Sequence, residues 1–540
     1  MRGLLRCSLV LILFVIAACS SDQGEITIPA RPPGKPAYGD SFIEGTIGEP
    51  STLIPILASD SSSRAVAAQV YNGLVKYDKD LKLVGDLAAS WDVSADGLTI
   101  TFHLRRGVKW HDGQEFTARD VLYTHRVTVD PKTPTAYAED FKQVKAITAP
   151  DSYTVRVTYD KPFAPALASW GMEVLPAHLL DGKEITKSEL ARHPIGTGPY
   201  RFKEWLAGQR VVLEAFDGYF EGRPYIDRYV FRVIPDTATM YMELKAGGVD
   251  MMGLTPVQYQ RQTTGRDFLA RFAKYRYPAS SYVYLGYNLR NPLFADKRVR
   301  QAISAAINKD EIIHGALLGM GQVAHGPFKP GTWPYNPGVR DISYDPAHAL
   351  ALLGEAGWRR GSDGILAKDG KPFQFTILTN QGNDLRLKTA QIIQYRLKKI
   401  GIDVKIRVVE WASFLKNFID KGNFEAIVMG WTIPPDPDLF DVWHSSKTGP
   451  KELNFVGYKN PEVDRLIVEG RGTFDQERRR RCYFRIQEIL ADEQPYTFLY
   501  VPDALPVVQA RFRGIEPAPA GISYNFIRWY VPKGEQLTDR

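Results

Sequence analysis

Phe373-Gln374-Phe375-Thr376-Ile377-Leu378, Val404-Lys405-Ile406-Arg407-Val408 and Phe424-Glu425-Ala426-Ile427-Val428-Met429 are three short apolar runs that decide the fold class. In the second run, Val404, Ile406 and Val408 alternate with Asp403, Lys405 and Arg407, the pattern of a strand with one buried face. Between the first two runs, Ala390, Ile393, Leu397 and Ile400 recur at helical spacing, and Gly401 closes that helix as a C-cap. Between the last two, Trp411, Leu415, Phe418 and Ile419 mark a shorter helix that Gly422 breaks. The order β-α-β-α-β predicts an α/β sheet with helices on its faces.

Open sheets of this kind bind ligands beyond the carboxyl ends of their strands. Asn380 and Arg386 follow the first run, and Trp411 follows the second. Gly430-Trp431-Thr432-Ile433-Pro434-Pro435-Asp436-Pro437-Asp438 follows the third, an aromatic, acidic stretch stiffened by proline. These side chains share one rim. Each tryptophan taken alone reads first as core packing, and their shared rim makes a ligand wall an equal reading.

Working outward, Thr99 to Leu104 alternates as a strand, Arg105-Arg106-Gly107 and Asp112-Gly113 turn the chain, and Thr117 caps a helix through Asp120-Val121. Asp296 caps another, with Val299, Ala302, Ile303 and Ala306 inward. Arg478 to Arg481 is the one dense basic run. Beside it Cys482, Ile486, Ile489 and Leu490 fall at helical spacing, so it reads as the wet face of an amphipathic helix, with a docking contact as the alternative.

Reaction motifs are missing. The nine histidines include no His-Glu-x-x-His pair, and His103 and His111 have no third ligand nearby. There is no nucleophile elbow and no Walker loop. Gly196-Thr197-Gly198-Pro199-Tyr200 is half of a phosphate loop at most. Pro199 lacks an N–H, so the segment reads as a structural turn. No metal, cofactor or catalytic residue is assigned.

The 540 residues are 44% apolar and 24% charged, ordinary for a globular protein of several domains. Net charge is +7, too mild for a nucleic-acid protein of this length. At the N-terminus Arg2 and Arg6 precede an unbroken apolar run from Leu9 to Ala18, and small Ala17 and Ala18 stand before Cys19. That is a secretory signal, too short to span a bilayer. The alternatives are an ordinary peptidase site and a lipidated Cys19. Ser20 to Pro36 is rich in Ser, Gly and Pro and reads as a flexible tether. Of the three cysteines, Cys7 leaves with the signal and Cys482 has no partner, so no disulfide framework is expected and Cys482 reads as a small buried residue.

Several blocks together resemble the extracellular solute-binding proteins of family 5, the peptide- and nickel-type binding lipoproteins of ABC importers. They are Ala88-Ala89-Ser90-Trp91, Phe102-His103-Leu104-Arg105-Arg106-Gly107-Val108-Lys109-Trp110-His111-Asp112-Gly113 and Phe116-Thr117-Ala118-Arg119-Asp120-Val121. Gly196-Thr197-Gly198-Pro199-Tyr200, Ile234-Pro235-Asp236, Ala246-Gly247-Gly248-Val249-Asp250, Val299-Arg300-Gln301-Ala302, Gly430-Trp431 and Tyr458-Lys459-Asn460-Pro461 follow in order.

The resemblance implies an α/β, two-lobed periplasmic-binding-protein fold (type II, cluster C) with an extra accessory domain. Lobe one would be 38–75, 188–287 and 506–540, the accessory domain 76–187 and lobe two 288–505. Residues 1–18 would be a lipoprotein signal peptide with Cys19 lipidated, and 19–37 the tether. It implies a monomeric, non-enzymatic receptor outside the cytoplasm, lipid-anchored, that delivers a short peptide to the permease subunits of an importer. The other ligands in view are a metal chelate, haem or an oligosaccharide, and the other partner is a chemosensor.

Pocket positions carried over by the resemblance are Ser61, Tyr137, Asn380, Trp411, Trp431, Thr432 and Tyr500, with Arg386 suited to a ligand carboxylate. Two positions depart from the pattern. The Asp that captures a peptide amino group three residues after the pocket Trp is Pro434 here, and the basic residue three before it is Val428. Asp436 and Asp438 lie further along, and Asp436 is the candidate for a cationic group.

Overall fold

The three apolar runs form three parallel strands, and the rest of a large sheet is recruited from distant parts of the chain. In this computed structural model, which describes residues 32–537, the strands Gln374–Asn380, Asp403–Val409 and Ala426–Thr432 lie with Gln374–Asn380 in the middle, parallel to both neighbours. The helix Asp384–Lys399 connects the first two and is capped by Asn383, whose side chain accepts from the Arg386 N–H at 3.0 Å. Gly401 follows with φ of +90°, and a Cβ there would lie 2.8 Å from the Gly364 carbonyl oxygen. Only glycine fits both demands. The segment after the second strand begins as a helical turn at Trp411–Ser413 and continues with π-type spacing over Phe414–Ile419.

Antiparallel strands complete this sheet. Ser281–Tyr287 lies between Ala426–Thr432 and Tyr496–Ala504, and Tyr277–Pro278 and Gly321–Val323 also pair with Tyr496–Ala504. This corrects the expected boundary at 287/288, because the hydrogen bonds of Ser281–Tyr287 are made to strands of the second lobe's sheet. The helical signal that begins at Asp296 was legible, while the strand before it reveals its partners only in three dimensions.

Strand alternation divides the apolar side chains between two cores. Val283, Leu285 and Tyr287 join Ala426 and Val428 on one face, under helices Lys297–Ala306, Pro346–Glu355 and Asp384–Lys399. Tyr282, Tyr284, Ile427 and Met429 join the opposite core with helices Pro461–Arg471 and Gln476–Glu493. Burial of each such large side chain contributes roughly 1.5–3 kcal/mol, so both layers are held by area rather than by cross-links. Cys482 is free and buried in the second core. Of the basic run, Arg478, Arg480 and Arg481 are exposed but Arg479 is buried.

A second large sheet runs Phe272–Lys274, Pro506–Gln509, Met251–Gly253, Ser41–Thr46, Arg228–Val233, Arg210–Ala215 and Tyr200–Leu206. The chain crosses into it after Tyr496–Ala504 and clamps it with Arg511, which pairs with Asp40 and with Asp250 at 3.0 Å; both carboxylates are fully buried. A separate antiparallel sheet holds Ala88–Val93, Thr99–Leu104, Thr154–Tyr159 and Val144–Asp151. Its helix Ala118–Val129 starts with a capping box between Thr117 and Asp120, and buried Asp120 also accepts from the Ala177 N–H at 2.9 Å. The Phe102–Val121 block is therefore architectural. So is Gly196-Thr197-Gly198, where a Cβ on Gly196 would sit 1.8 Å from the Val70 carbonyl oxygen.

The signal at 1–18, Cys19 and residues 19–31 lie outside the described residues. The expected tether extends to 37, but Pro32 to Tyr38 is held against the body. Arg513 donates to the Pro32 carbonyl at 3.1 Å, Tyr530 to that of Pro33 at 3.0 Å, and Tyr38 stacks on Tyr225. Proline composition signals the lack of helix or sheet there, and it carries no information about these partners.

Candidate functional site

At the carboxyl ends of the three parallel strands the chain gathers Asn380, Arg386, Trp411 and Gly430-Trp431-Thr432, and Tyr500 joins them from the antiparallel strand behind. The N-cap at Asn383 sets Arg386 in the first helical turn. Its Nη1 donates to Asn380 Oδ1 at 2.8 Å. Gly430 makes space for the guanidinium, since a Cβ there would lie 3.1 Å from Arg386 Nη2 and 2.8 Å from the Tyr282 carbonyl oxygen. Tyr500 and Thr389 share a hydroxyl hydrogen bond of 3.2 Å beside it.

Among the described residues no carboxylate pairs with Arg386, and its Nε has no hydrogen-bond partner. Burial shifts its pKa downward, opposed by Tyr500 and Tyr284. A half-buried cation without a counter-charge favours an anion placed next to it.

The rim is faced by the other large sheet. The loop after Ser41–Thr46 brings Gly48 so close to Trp411 that a Cβ would be 2.7 Å from Trp411 Cδ1. Gly382 backs onto the Pro235 carbonyl, and Thr237 Oγ1 donates to Asp384 Oδ2 at 2.6 Å. Between these contacts lies a cavity of about 180 Å³ bounded by Ile47, Glu49, Pro235, Gln381, Glu410 and Trp411. Ser61, the first residue of helix Ser61–Val70, lines a neighbouring space of about 90 Å³ with Glu44, Thr46 and Gly48. Glu44 is pushed above the usual carboxylate range by burial, although the Tyr229 hydroxyl donates to it.

The aromatic residues have distinct settings. Trp431 stacks on Phe455 at 5.5 Å and its Nε1 donates to the Tyr496 hydroxyl at 3.3 Å. Trp411 Nε1 has no partner among the described residues. Thr432 is exposed. Tyr137 lies away from this rim, on the wall of a separate cavity beside helix Ser61–Val70: its hydroxyl donates to the Ala58 carbonyl at 3.2 Å, and burial pushes its pKa up to about 12 against the pull of Arg64. Asp436 is engaged by Arg479 at 3.1 Å, so its charge is already answered inside the protein. Pro434 is exposed and Val428 fully buried, so neither position carries a charge to the rim.

Two participants went unread in the sequence. The Ile47–Pro50 loop and the strand bearing Tyr282 and Tyr284 come from segments far from the three runs. The Gly48-Glu49-Pro50 turn signal and the Tyr-x-Tyr alternation were visible, but nothing local paired them with Arg386.

The profile of the bacterial extracellular solute-binding proteins, family 5 (middle region), matches residues 82–452. The oligopeptide-binding protein AppA of Bacillus subtilis is 35% identical, covering 98% of this chain and 99% of that protein. The structure of that AppA in complex with a nonapeptide superposes with a TM-score of 0.88, covering 92% of this chain and 100% of the other. NikZ of Campylobacter jejuni in complex with Ni(L-His) gives a TM-score of 0.84 at 29% identity, covering 91% and 99%.

Proposed function

The chain belongs to family 5 of the bacterial extracellular solute-binding proteins, and from that premise we propose that it captures short peptides between its two lobes and delivers them to the permease of an ABC importer. The observation that carries this reading is Arg386, a half-buried guanidinium with Asn380 as its hydrogen-bond partner and, among the described residues, no carboxylate paired with it. In the proposed complex the peptide carboxylate answers that charge in a bidentate pair. Trp411 and Trp431 form apolar walls, and backbone groups near Thr432 and Ser61 pair with the peptide main chain as an added strand would. Ligand touching both sheets favours the closed arrangement, because only there are both sets of contacts made. The protein performs no covalent step; ATP hydrolysis belongs to the importer.

Among the described residues no helix is long and apolar enough to cross a membrane. The proposed tie to the membrane is lipid on Cys19, with the folded part outside the cytoplasm. A second reading keeps the same Arg386 site but fills it with a carboxylate-bearing metal chelate. Pro434 in place of an amino-capturing Asp and the likeness to NikZ bound to Ni(L-His) favour keeping it.

Calorimetric titration with a short peptide and with its C-terminal amide tests the site. The free acid is expected to bind and the amide to lose at least ~2 kcal/mol, the usual scale for leaving a buried charge unpaired. Arg386→Met should remove that difference. Equal affinity for acid and amide in the unaltered protein would sink the carboxylate assignment, and binding of a nickel–histidine chelate in place of any peptide would favour the second reading.

A further inference from the structure

Apart from the rim, the molecule holds a larger cavity of about 530 Å³ between helix Ser61–Val70, the helical turns Ala138–Phe141 and Ala166–Ser169, and the Ser523–Arg528 turn. Trp411, Trp431, Arg386 and Tyr500 take no part in it. Its volume falls within the roughly 300–1,000 Å³ typical of small-molecule pockets.

The polar groups of its wall are unbalanced. Arg64 and Glu173 form a bidentate pair, with both N–O distances 2.9 Å, and cancel each other. Lys76 alone serves two carboxylates, Asp86 at 3.2 Å and Glu221 at 2.6 Å. Asn72 donates to the other Asp86 oxygen at 2.9 Å, and Tyr219 approaches Glu221 at 3.4 Å. Asp86, held above the usual carboxylate range by burial, and Glu221 thus share a single ammonium, while Asp140 on the same wall is paired with Arg471. An independent observation points the same way. Tyr71, which lines the cavity and is 2% exposed, has a hydroxyl with no hydrogen-bond partner among the described residues. The remaining wall is aromatic, with Tyr77, Phe141 and Tyr219 prominent, and aromatic faces attract organic cations.

We infer that this cavity is a pocket for a basic side chain of the bound peptide, an ammonium or guanidinium on an apolar stem. The inference rests on the peptide reading above. The group would share Asp86 and Glu221 with Lys76, accept no proton, and leave the Tyr71 hydroxyl oxygen as an acceptor for one of its N–H donors. Reach is adequate. Ser61, Arg64, Ala68 and Tyr71 follow one another at three- and four-residue steps along one helix face. At 1.5 Å per residue the path from Ser61 to Tyr71 is about 15 Å, the span of roughly four to five extended residues.

The test compares Lys-Ala-Ala-Ala-Ala with norleucine-Ala-Ala-Ala-Ala, long enough to cover that span, by calorimetry on the purified protein; norleucine has the same stem without the charge. The lysine peptide is expected to bind about tenfold more tightly, a preference of the size reported for partly desolvated cation contacts. The ratio should fall below about threefold in Glu221→Gln and in Tyr71→Phe; Glu221 is partly exposed, so its exchange leaves the core intact. A ratio near one in the unaltered protein, or a ratio unmoved by both exchanges, overturns the pocket. If neither pentapeptide binds, it is the peptide reading that fails. The pocket is then probed with 1,5-diaminopentane, which should bind saturably and lose affinity in Glu221→Gln; no binding would overturn the pocket as well.

Discussion

Arg471, the last residue of helix Pro461–Arg471, pairs with Asp140 of the turn Ala138–Phe141, which packs on the small antiparallel sheet's unit. The same guanidinium pairs with Asp438 at 3.1 Å, and the Arg471 carbonyl accepts from the Ala164 N–H at 2.7 Å. Nearby Lys447 donates to the Ala136 carbonyl at 2.9 Å and pairs with Glu452 at 2.7 Å. These contacts join the small sheet's unit to the helices over the Arg386 sheet, on a path separate from the Gly48–Trp411 contact.

Exchange of Arg471 should therefore loosen the join between these two units. Arg471→Met strands the Asp140 carboxylate and is expected to cost ~3–5 kcal/mol of stability, as when one partner of a buried pair is removed. Arg471→Met combined with Asp140→Asn should recover part of it, because Asp438 still lacks its partner. Chemical denaturation of the two single variants and the double variant measures the coupling, and simple additivity would contradict a direct pair.

The same cluster predicts a pH dependence. Burial pushes Asp441 up to about 7, helped by Asp438 and Glu452 and opposed by Lys447 and Arg471. Asp140 and Asp438 are shifted upward as well, mainly by burial and against Arg471. A carboxyl whose pKa is raised on folding binds its proton more readily in the native state. Its protonated form is favoured there, so stability falls as pH rises from about 4 to about 7. The midpoint of thermal unfolding should accordingly be higher at pH 5.5 than at pH 7.5, and Asp441→Asn should flatten that difference.

Gly430→Ala isolates the geometry around Arg386. The added Cβ would press on the Tyr282 carbonyl and on Arg386 Nη2. Peptide affinity is expected to drop by about tenfold, or ~1.4 kcal/mol, with the Asn380–Arg386 hydrogen bond displaced. Unchanged affinity would show that Arg386 does not need its present position.

Arg511→Met should damage the fold without touching the rim. Asp40 and Asp250 would face each other buried without the guanidinium between them, and a loss of ~3–5 kcal/mol is expected in denaturant unfolding. Arg511→Lys should rescue it only partly, because an ammonium lacks the planar fork that reaches both carboxylates.

The amino-acid order by itself determined the local elements. Apolar periodicity and punctuation by Asn383, Gly401 and Gly422 specify the three parallel strands and their connections, because those signals act within a few residues. Rim membership of Asn380, Arg386, Trp411 and Trp431 follows from the same rule, since each lies at or a few residues beyond the carboxyl end of a strand. Tertiary structure alone decided which charges are answered. Asp436 and Arg386 both read in the sequence as ready for a ligand, yet Arg479 arrives from a helix 43 residues away and pairs with Asp436, while no carboxylate among the described residues pairs with Arg386. It also decided that Ser281–Tyr287 belongs to the second lobe's sheet, and that Tyr71, Asp86 and Glu221 wall one cavity. Ion pairing and strand pairing depend on distance in space, and chain order records only distance along the backbone.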